Sequence, residues 1–266
     1  MTPALHTLWV EGRLGWLERA CLASAVAVGH PVTLYTYRGV EGAPAGVVVR
    51  DAETVMPFAR MRRHKGGSWS LGSNLFRYEA QRQELGVWID ADVYFLRPLP
   101  APRPPVLFAW QKPGLVNGAV FWAAPASRLI ERIDAYLAQE HIIPDWMSWR
   151  KRLPHLLRKR LGLQPLPLEA HKWGVAGPRA ITYAARELGL LDHALRADTF
   201  YPYGPKRARD AFDPAVDILA RATPETVAVH LWNEAIRDLK KNPPPPGSFM
   251  FRICAEAGLD PSETGM

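Results

Sequence analysis

The chain has 266 residues, of which 48% are hydrophobic and 22% are charged, and its formal net charge is +7. This composition excludes a disordered chain and supports one large hydrophobic core. The basic balance predicts attraction to acidic partners such as nucleotides, nucleic acids or anionic lipid surfaces, and charge alone does not separate these classes.

The cysteine content and the apolar segments bear on the cellular compartment. Cys21 and Cys254 offer no framework of disulfide bonds, so we expect a reducing environment. No N-terminal targeting signal is expected, because residues 1–6 lead directly into a strand pattern. No apolar run is long enough to span a bilayer. A cytoplasmic protein is therefore predicted, and peripheral contact with the inner face of a membrane is left open.

The first third of the chain alternates predicted strands with predicted helices. Hydrophobic periodicity indicates strands over 5–10, 32–37, 47–50 and 87–89, and helices over 14–28 and 71–85. This alternation is typical of an α/β fold with an open, mostly parallel, Rossmann-like sheet flanked by helices. Sheets of this kind bind ligands beyond the carboxyl ends of their strands.

The remainder of the chain is less regular. A proline-rich connector near 98–105 precedes predicted strands over 106–110 and 116–122 and a helix over 127–139. Added helical or irregular segments are expected over 144–190, and a late strand over 227–232. The prolines at 243–246 are interpreted as a stiff linker. We therefore predict a single domain over 1–242, followed by a linker and tail over 243–266.

Two carboxylates interrupt the apolar run from Val87 to Phe95, namely Asp90 and Asp92. Burying charge costs several kcal/mol unless a partner compensates it. Mg²⁺ and Mn²⁺ prefer carboxylate oxygens and commonly share their coordination shell with substrate phosphates. The alternative is a strand-end turn whose acids are simply solvated, which is the common case for an isolated Asp-x-Asp.

A longer sequence pattern around Asp90 and Asp92 favours a metal site over a turn with solvated acids. The segment Ser73-Asn74-Leu75-Phe76-Arg77-Tyr78, followed by Gly86-Val87-Trp88-Ile89-Asp90-Ala91-Asp92, resembles the sugar-binding region of retaining glycosyltransferases of the GT-A fold. The similar group is that of α-1,4-galactosyltransferases and fungal outer-chain mannosyltransferases. Leu8-Trp9-Val10-Glu11-Gly12 is similar to their Trp-Ile-Gly element, and His230-Leu231-Trp232-Asn233 is similar to their late His-x-Trp-Asn. The resemblance spans roughly residues 5–235.

The resemblance implies roles for individual residues. Asp92 and His230 would bind Mn²⁺ or Mg²⁺, with Asp90 as a further ligand or as a contact to the donor. Asp90, Asp92 and Arg77 are the predicted catalytic residues, and Arg77 would contact the phosphate or sugar of the donor. Further donor contacts are expected from Trp9, which would stack on the base, and from Asn74, Tyr78, Asn117, Trp232 and Asn233.

The function that the resemblance implies is metal-dependent, retaining transfer of a hexose. The donor would be a nucleotide-sugar, expected to be a UDP-sugar, and the acceptor a hydroxyl of a glycan or lipid-linked molecule. The nucleotide-sugar half would cover about 1–98 and the acceptor half about 106–242. Asn74 stands where the family usually has Asp, so a charge is lost. A non-catalytic sugar-nucleotide or glycan-binding protein of the same fold is therefore the alternative.

A cluster of basic residues lies at 150–160. Residues 150–160 contain six Lys and Arg residues, no acid, and leucines between the cations. They form either a solvated face or a surface that docks on an anionic membrane. Nucleic acid is not an expected partner, because no recognised nucleic-acid-binding module is visible in the sequence.

Overall fold

Short apolar strands separated by helices build the sheet, as the periodicity predicts. The computed structural model describes residues 2–139, 142–171 and 174–261. The strands are β1 (Leu5–Leu8), β2 (Gly12–Arg13), β3 (Val32–Thr36), β4 (Val40–Glu41), β5 (Val47–Asp51), β6 (Val87–Ile89), β7 (Val93–Phe95), β8 (Val106–Lys112), β9 (Leu115–Ala123) and β10 (Ala228–His230). The α-helices are α1 (Trp16–Ala27), α2 (Ser70–Arg82), α3 (Leu129–Leu137), α4 (Trp149–Arg160), α5 (Pro178–Glu187) and α6 (Phe249–Glu256). Short 3-10 helices connect them, of which Pro205–Phe212 is the longest among the described residues.

The central sheet has six strands in the order β5-β3-β1-β6-β9-β8. Strands β5, β3, β1 and β6 run parallel to one another, whereas β9 pairs antiparallel with both β6 and β8. The predicted α/β class with a mostly parallel sheet flanked by helices is confirmed. The parallel strands place their carboxyl ends at one edge, and Ile89 at the end of β6 leads directly to Asp90.

Residues of the central strands contribute to two apolar clusters on opposite faces of the sheet. In β6, Val87 and Ile89 belong to one cluster and Trp88 to the other, as the two-residue period of a strand requires. The first cluster also contains buried side chains of α1 and α6, and the second contains those of α2, α3 and α5. Both faces are therefore covered, which is the usual condition of a sheet with parallel strands.

The sequence analysis did not separate β7 from the run that contains Asp90 and Asp92. In the structure β7 leaves the central sheet and pairs antiparallel with β10, so that His230 lies opposite Val93. The backbone N–H of Leu231 donates to the carbonyl of Asp92 over 2.9 Å. This two-stranded ribbon brings the end of the chain back to the acidic turn.

The expectation of a C-terminal tail is wrong for residues 249–256. These residues form α6, whose N-terminus is capped by the Ser248 hydroxyl accepting from the N–H of Phe251. Met250 and Ile253 are fully buried in the cluster that also holds α1. Residues 262–266 of the predicted tail lie outside the described residues. The division of the chain into a donor half and an acceptor half stays a prediction.

Two further expectations from the sequence concern disulfide bonds and membrane-spanning segments. Cys21 and Cys254 are both buried and both free. Within the described ranges, every helix is too short or too polar to cross a membrane.

Replacing Ile253 with Ala tests the core position of α6. We expect Ile253→Ala to lower the free energy of unfolding by about 2–4 kcal/mol, because the removed methylene groups leave a cavity in the fully buried cluster. Chemical denaturation measures the change. Arg252→Ala, on the exposed side of the same helix, should cost less than about 1 kcal/mol. Equal effects of the two substitutions would mean that α6 is not part of the core.

Candidate metal and ligand site

The turn after β6 is fixed by backbone hydrogen bonds from both sides. The N–H of Asp90 donates to the carbonyl of Ala119 in β9 over 2.7 Å. The carbonyl of Asp92 accepts from Leu231, directly after β10. The two carboxylates are therefore held on a rigid support and are not free to relax into solvent.

Asp90, Asp92 and His230 converge on one point. Each offers a ligand atom, and these atoms all lie within 4.8 Å of one another. Asp92 Oδ2 lies 3.2 Å from His230 Nε2 and accepts from the N–H of Asn233 over 2.8 Å. Asp92 and His230 are 8% and 7% exposed, whereas the Asp90 side chain is 30% exposed. The cluster therefore has a buried side and an open side.

The electrostatics of the pair Asp92–His230 favour its charged forms. Burial acts to raise the pKa of Asp92, but the charge of His230, its hydrogen bond and the N–H of Asn233 outweigh burial, and the pKa is lowered. Burial acts to lower the pKa of His230, but Asp92, through charge and hydrogen bond, and Asp90 outweigh it, and the pKa is raised. Without a cation, the two groups thus compensate each other as an ion pair.

The donor set fits a divalent cation. Two carboxylates and one imidazole in a cluster of this size are suitable ligands for Mn²⁺ or Mg²⁺. The Nδ1 atom of His230 is buried and has no hydrogen-bond partner within the described ranges. Asp92, Asp90 and His230 could therefore hold a metal.

Arg77 joins α2 to the acidic turn. Its Nη2 donates to Asp90 Oδ1 over 2.7 Å, and its Nη1 donates to the amide oxygen of Asn74 over 2.9 Å. Trp88 Nε1 donates to the same Asp90 oxygen over 2.7 Å. A Cβ at Gly118 would lie 2.9 Å from Arg77 Nη1, so only glycine leaves this space for the guanidinium. Arg77 is 5% exposed and is therefore held in a single orientation.

The cluster opens into a cavity of about 550 Å³. This volume is in the range of pockets that hold small molecules and cofactors. Its wall includes these predicted site residues: Asn74, Arg77, Asp90, Asp92, Asn117, His230, Trp232 and Asn233. The cavity lies at the carboxyl end of β6, where an open α/β sheet is expected to bind its ligand.

Several of these wall residues are also tied to one another. Asn117 accepts from the N–H of Ala119 and donates to Gln111, which lines the cavity as well. Trp232 has a left-handed backbone with φ +57°, and its ring centroid lies 4.2 Å from that of His230. A left-handed conformation is uncommon for a bulky residue and is typical of functional sites.

Two predicted donor contacts do not line the cavity. Tyr78 is 1% exposed, and its hydroxyl donates to the carbonyl of Ala176, so it is a core residue and its predicted contact with the donor is corrected. Trp9 is half-buried against the cluster that holds α1. Its indole N–H is buried and has no hydrogen-bond partner in the part of the chain that the structure describes. Stacking of Trp9 on a base stays a prediction.

A buried ion pair beside the cavity was not predicted from the sequence. Glu18 on α1 is 0% exposed and accepts from Lys240 Nζ over 2.6 Å and from Asn233 Nδ2 over 2.8 Å. Lys240 also lines the cavity. Glu18 could have been recognised from the sequence, because it is a charged residue next to the apolar residues Leu17 and Cys21 of the predicted helix. No signal marked Lys240, because its partner is more than two hundred residues away in the chain.

The chain was compared with known protein families, curated proteins and solved structures. No profile of a known protein family matches the chain, and no curated protein matches its sequence. Among solved structures, the PaToxG glycosyltransferase superposes on the chain with a TM-score of 0.47 and 11% sequence identity. The superposition covers 72% of this chain and 73% of that structure.

Metal binding can be tested by thermal stability. We expect Mn²⁺ at about a hundred times its dissociation constant to add about 2.7 kcal/mol to the stability of the wild-type protein. A chain of this size should then unfold several degrees higher. Asp92→Asn removes a ligand charge while keeping the side-chain shape, and should abolish most of the shift. Asp192→Asn, at an exposed acid outside the cavity, should keep the full shift. An equal shift in both variants would exclude the proposed ligand.

Proposed function

We propose that the protein is a metal-dependent, retaining glycosyltransferase that uses a nucleotide-sugar donor. The convergence of Asp90, Asp92 and His230 at the mouth of a cavity that also contains Arg77 carries this proposal. His230 is more than a hundred residues from Asp90 and Asp92 in the sequence, and the family resemblance assigns all of these residues to one donor site. A chance resemblance gives no reason for them to meet.

The donor diphosphate would be bound mainly by the metal, with Arg77 in the wall of the cavity beside it. Asp92 and His230 would be the principal ligands, and Asp90 would contribute its second oxygen, since Arg77 and Trp88 bond to Oδ1. When bound, the metal supplies Lewis-acid neutralisation of the leaving diphosphate. Arg77 would hold Asp90 in place and present its remaining surface to the donor.

The family resemblance implies a transfer step with retention of configuration at the anomeric carbon. The bond between the anomeric carbon and the donor phosphate oxygen breaks, and a bond to the acceptor hydroxyl oxygen forms on the same face of the sugar. The proton of the acceptor hydroxyl passes to the leaving phosphate oxygen. We assign no enzymic nucleophile, and the chain's contribution is to position the donor and to stabilise the charge that develops on it.

Turnover is tested by donor hydrolysis and transfer in the presence of Mn²⁺ or Mg²⁺. We expect Asp92→Ala to lower kcat by at least ~10²-fold, the order of magnitude for one key electrostatic group. Asp192→Ala should retain wild-type activity, and circular dichroism should show that both variants are folded. Wild-type turnover in folded Asp92→Ala would exclude the role assigned to this residue.

The donor is identified by a thermal-shift screen. We expect UDP and UDP-sugars to stabilise the protein only when Mn²⁺ or Mg²⁺ is present, because the diphosphate and the residues of the cluster share the cation. GDP and GDP-sugars provide the comparison. Stabilisation by GDP-sugars in place of UDP-sugars would keep the glycosyltransferase proposal and change its donor.

A sugar-nucleotide or glycan-binding protein without turnover is the second candidate. Asn74 favours it, because both ends of its amide are used within the wall: the oxygen accepts from Arg77, and the nitrogen donates to the carbonyl of Ser70 over 2.8 Å. The charge of the family's usual Asp is thus replaced by a structural amide. Metal-dependent binding of UDP with no turnover of any donor would support this candidate.

A further inference from the structure

Helix α4 contributes nothing to the core of the protein. None of its residues from Trp149 to Arg160 is buried. Pro154 lies inside the helix and removes one backbone donor from it. Burial of apolar side chains is the main source of helix stability in proteins, yet the leucines of α4 remain in water. Their presence is therefore not explained by folding.

Most exposed apolar side chains of α4 lie on the side that faces away from the protein, whereas Leu156 lies on the inner side with Arg152. Arg152 pairs with Asp145 over 3.0 Å, and the ring of His155 stacks on that of His171 with centroids 5.5 Å apart. These contacts define the inner side of the helix. Residues four positions apart lie on the same face of a helix. The outer face carries the following residues, with their exposed fractions: Trp149 (70%), Leu153 (46%), Leu157 (50%) and, just beyond the helix, Leu161 (76%).

Cations surround this apolar stripe. Residues 146–168 contain six Lys and Arg residues and no acid. Arg150, Lys151, Arg158 and Arg160 are exposed, and the Arg150 guanidinium lies 5.5 Å from the centroid of a Trp149 ring. An exposed apolar stripe of this extent is unusual on a monomeric protein and marks an interaction surface.

We propose that α4 docks the protein on an anionic lipid surface. Trp149, Leu153, Leu157 and Leu161 would enter the boundary between headgroups and acyl chains, and the flanking cations would contact lipid phosphates. The charge argues against a second copy of the chain, because two such helices would repel each other. The leucine stripe argues against nucleic acid, which is bound through cations with polar or stacking side chains.

The docking surface is connected to the wall of the cavity. The carbonyl of Glu169, shortly after α4, accepts from the N–H of Lys65 over 3.1 Å, and its carboxylate pairs with Arg62. The loop that contains Arg62 and Lys65 also contains Ser68, which lines the cavity. Docking itself does not depend on the proposed function. If both hold, the cavity lies near the membrane, where a lipid-linked acceptor is found.

Vesicle flotation of the full chain at physiological salt tests the proposal. We expect the protein to float with vesicles of equimolar phosphatidylglycerol and phosphatidylcholine, and to stay in solution with phosphatidylcholine alone. High salt should weaken the binding, because exposed charges are screened. Equal flotation with both vesicles, or none with either, would overturn the proposal whatever the catalytic activity.

Matched variants distinguish the effect of the α4 cations on membrane binding from the effect of the protein's net charge. Lys151→Glu with Arg160→Glu should weaken partitioning at least about tenfold. Arg103→Glu with Arg221→Glu changes the net charge equally at exposed sites elsewhere and should have a much smaller effect.

A second pair of variants tests the apolar stripe of α4. Leu153→Ser with Leu157→Ser should abolish most of the flotation, whereas Val48→Ser with Val49→Ser, at exposed positions of β5, should not. Analytical ultracentrifugation provides the second readout. Self-association that the leucine variants abolish, in place of flotation, would identify a second copy as the occupant and overturn the lipid proposal.

Discussion

The buried carboxylate of Asp92 is the constraint on which the candidate site depends. Its backbone carbonyl accepts from Leu231, and its side chain accepts from Asn233 and lies against His230. A buried charge without such partners would cost several kcal/mol. The compensation comes entirely from a segment more than a hundred residues later in the chain. The pairing of β10 with β7 places these partners beside Asp92.

The two acids of the turn have different partners and therefore different chemistry. Asp90 is bound by Arg77 and Trp88 through one oxygen and is partly exposed. Asp92 is buried, and its partner His230 is itself able to bind a metal. Asp92 and His230 would hold a cation together only after His230 gives up its proton to solvent, because the neutral imidazole is the form that binds a metal. The Arg77–Asp90 pair can persist beside it, because Asp90 keeps a second oxygen.

Local patterns predicted much of the fold, and long-range pairing limited the rest. The alternation around β1, β3, β5 and β6 is a property of neighbouring residues, so the parallel sheet was predictable. The pairing of β7 with β10 depends on contacts across more than a hundred residues, so β7 was missed. Tyr78 shows the limit of transferring a role by position: it follows Arg77 on α2, but its side chain points into the core. Glu18 and Lys240 were missed for the same long-range reason.

The basic charge of the chain is concentrated away from the candidate site. Of the 33 Lys and Arg residues, six lie in residues 150–160, and the remaining 27 nearly balance the 26 Asp and Glu residues. The net charge is therefore largely a property of α4 and gives little information about what enters the cavity. Among the described residues, the three cations of the cavity wall, Arg77, Lys240 and Arg237, are already paired with Asp90, Glu18 and Glu234. Binding of a diphosphate there would need charge brought in with it, and a divalent cation held by Asp90, Asp92 and His230 would supply that charge.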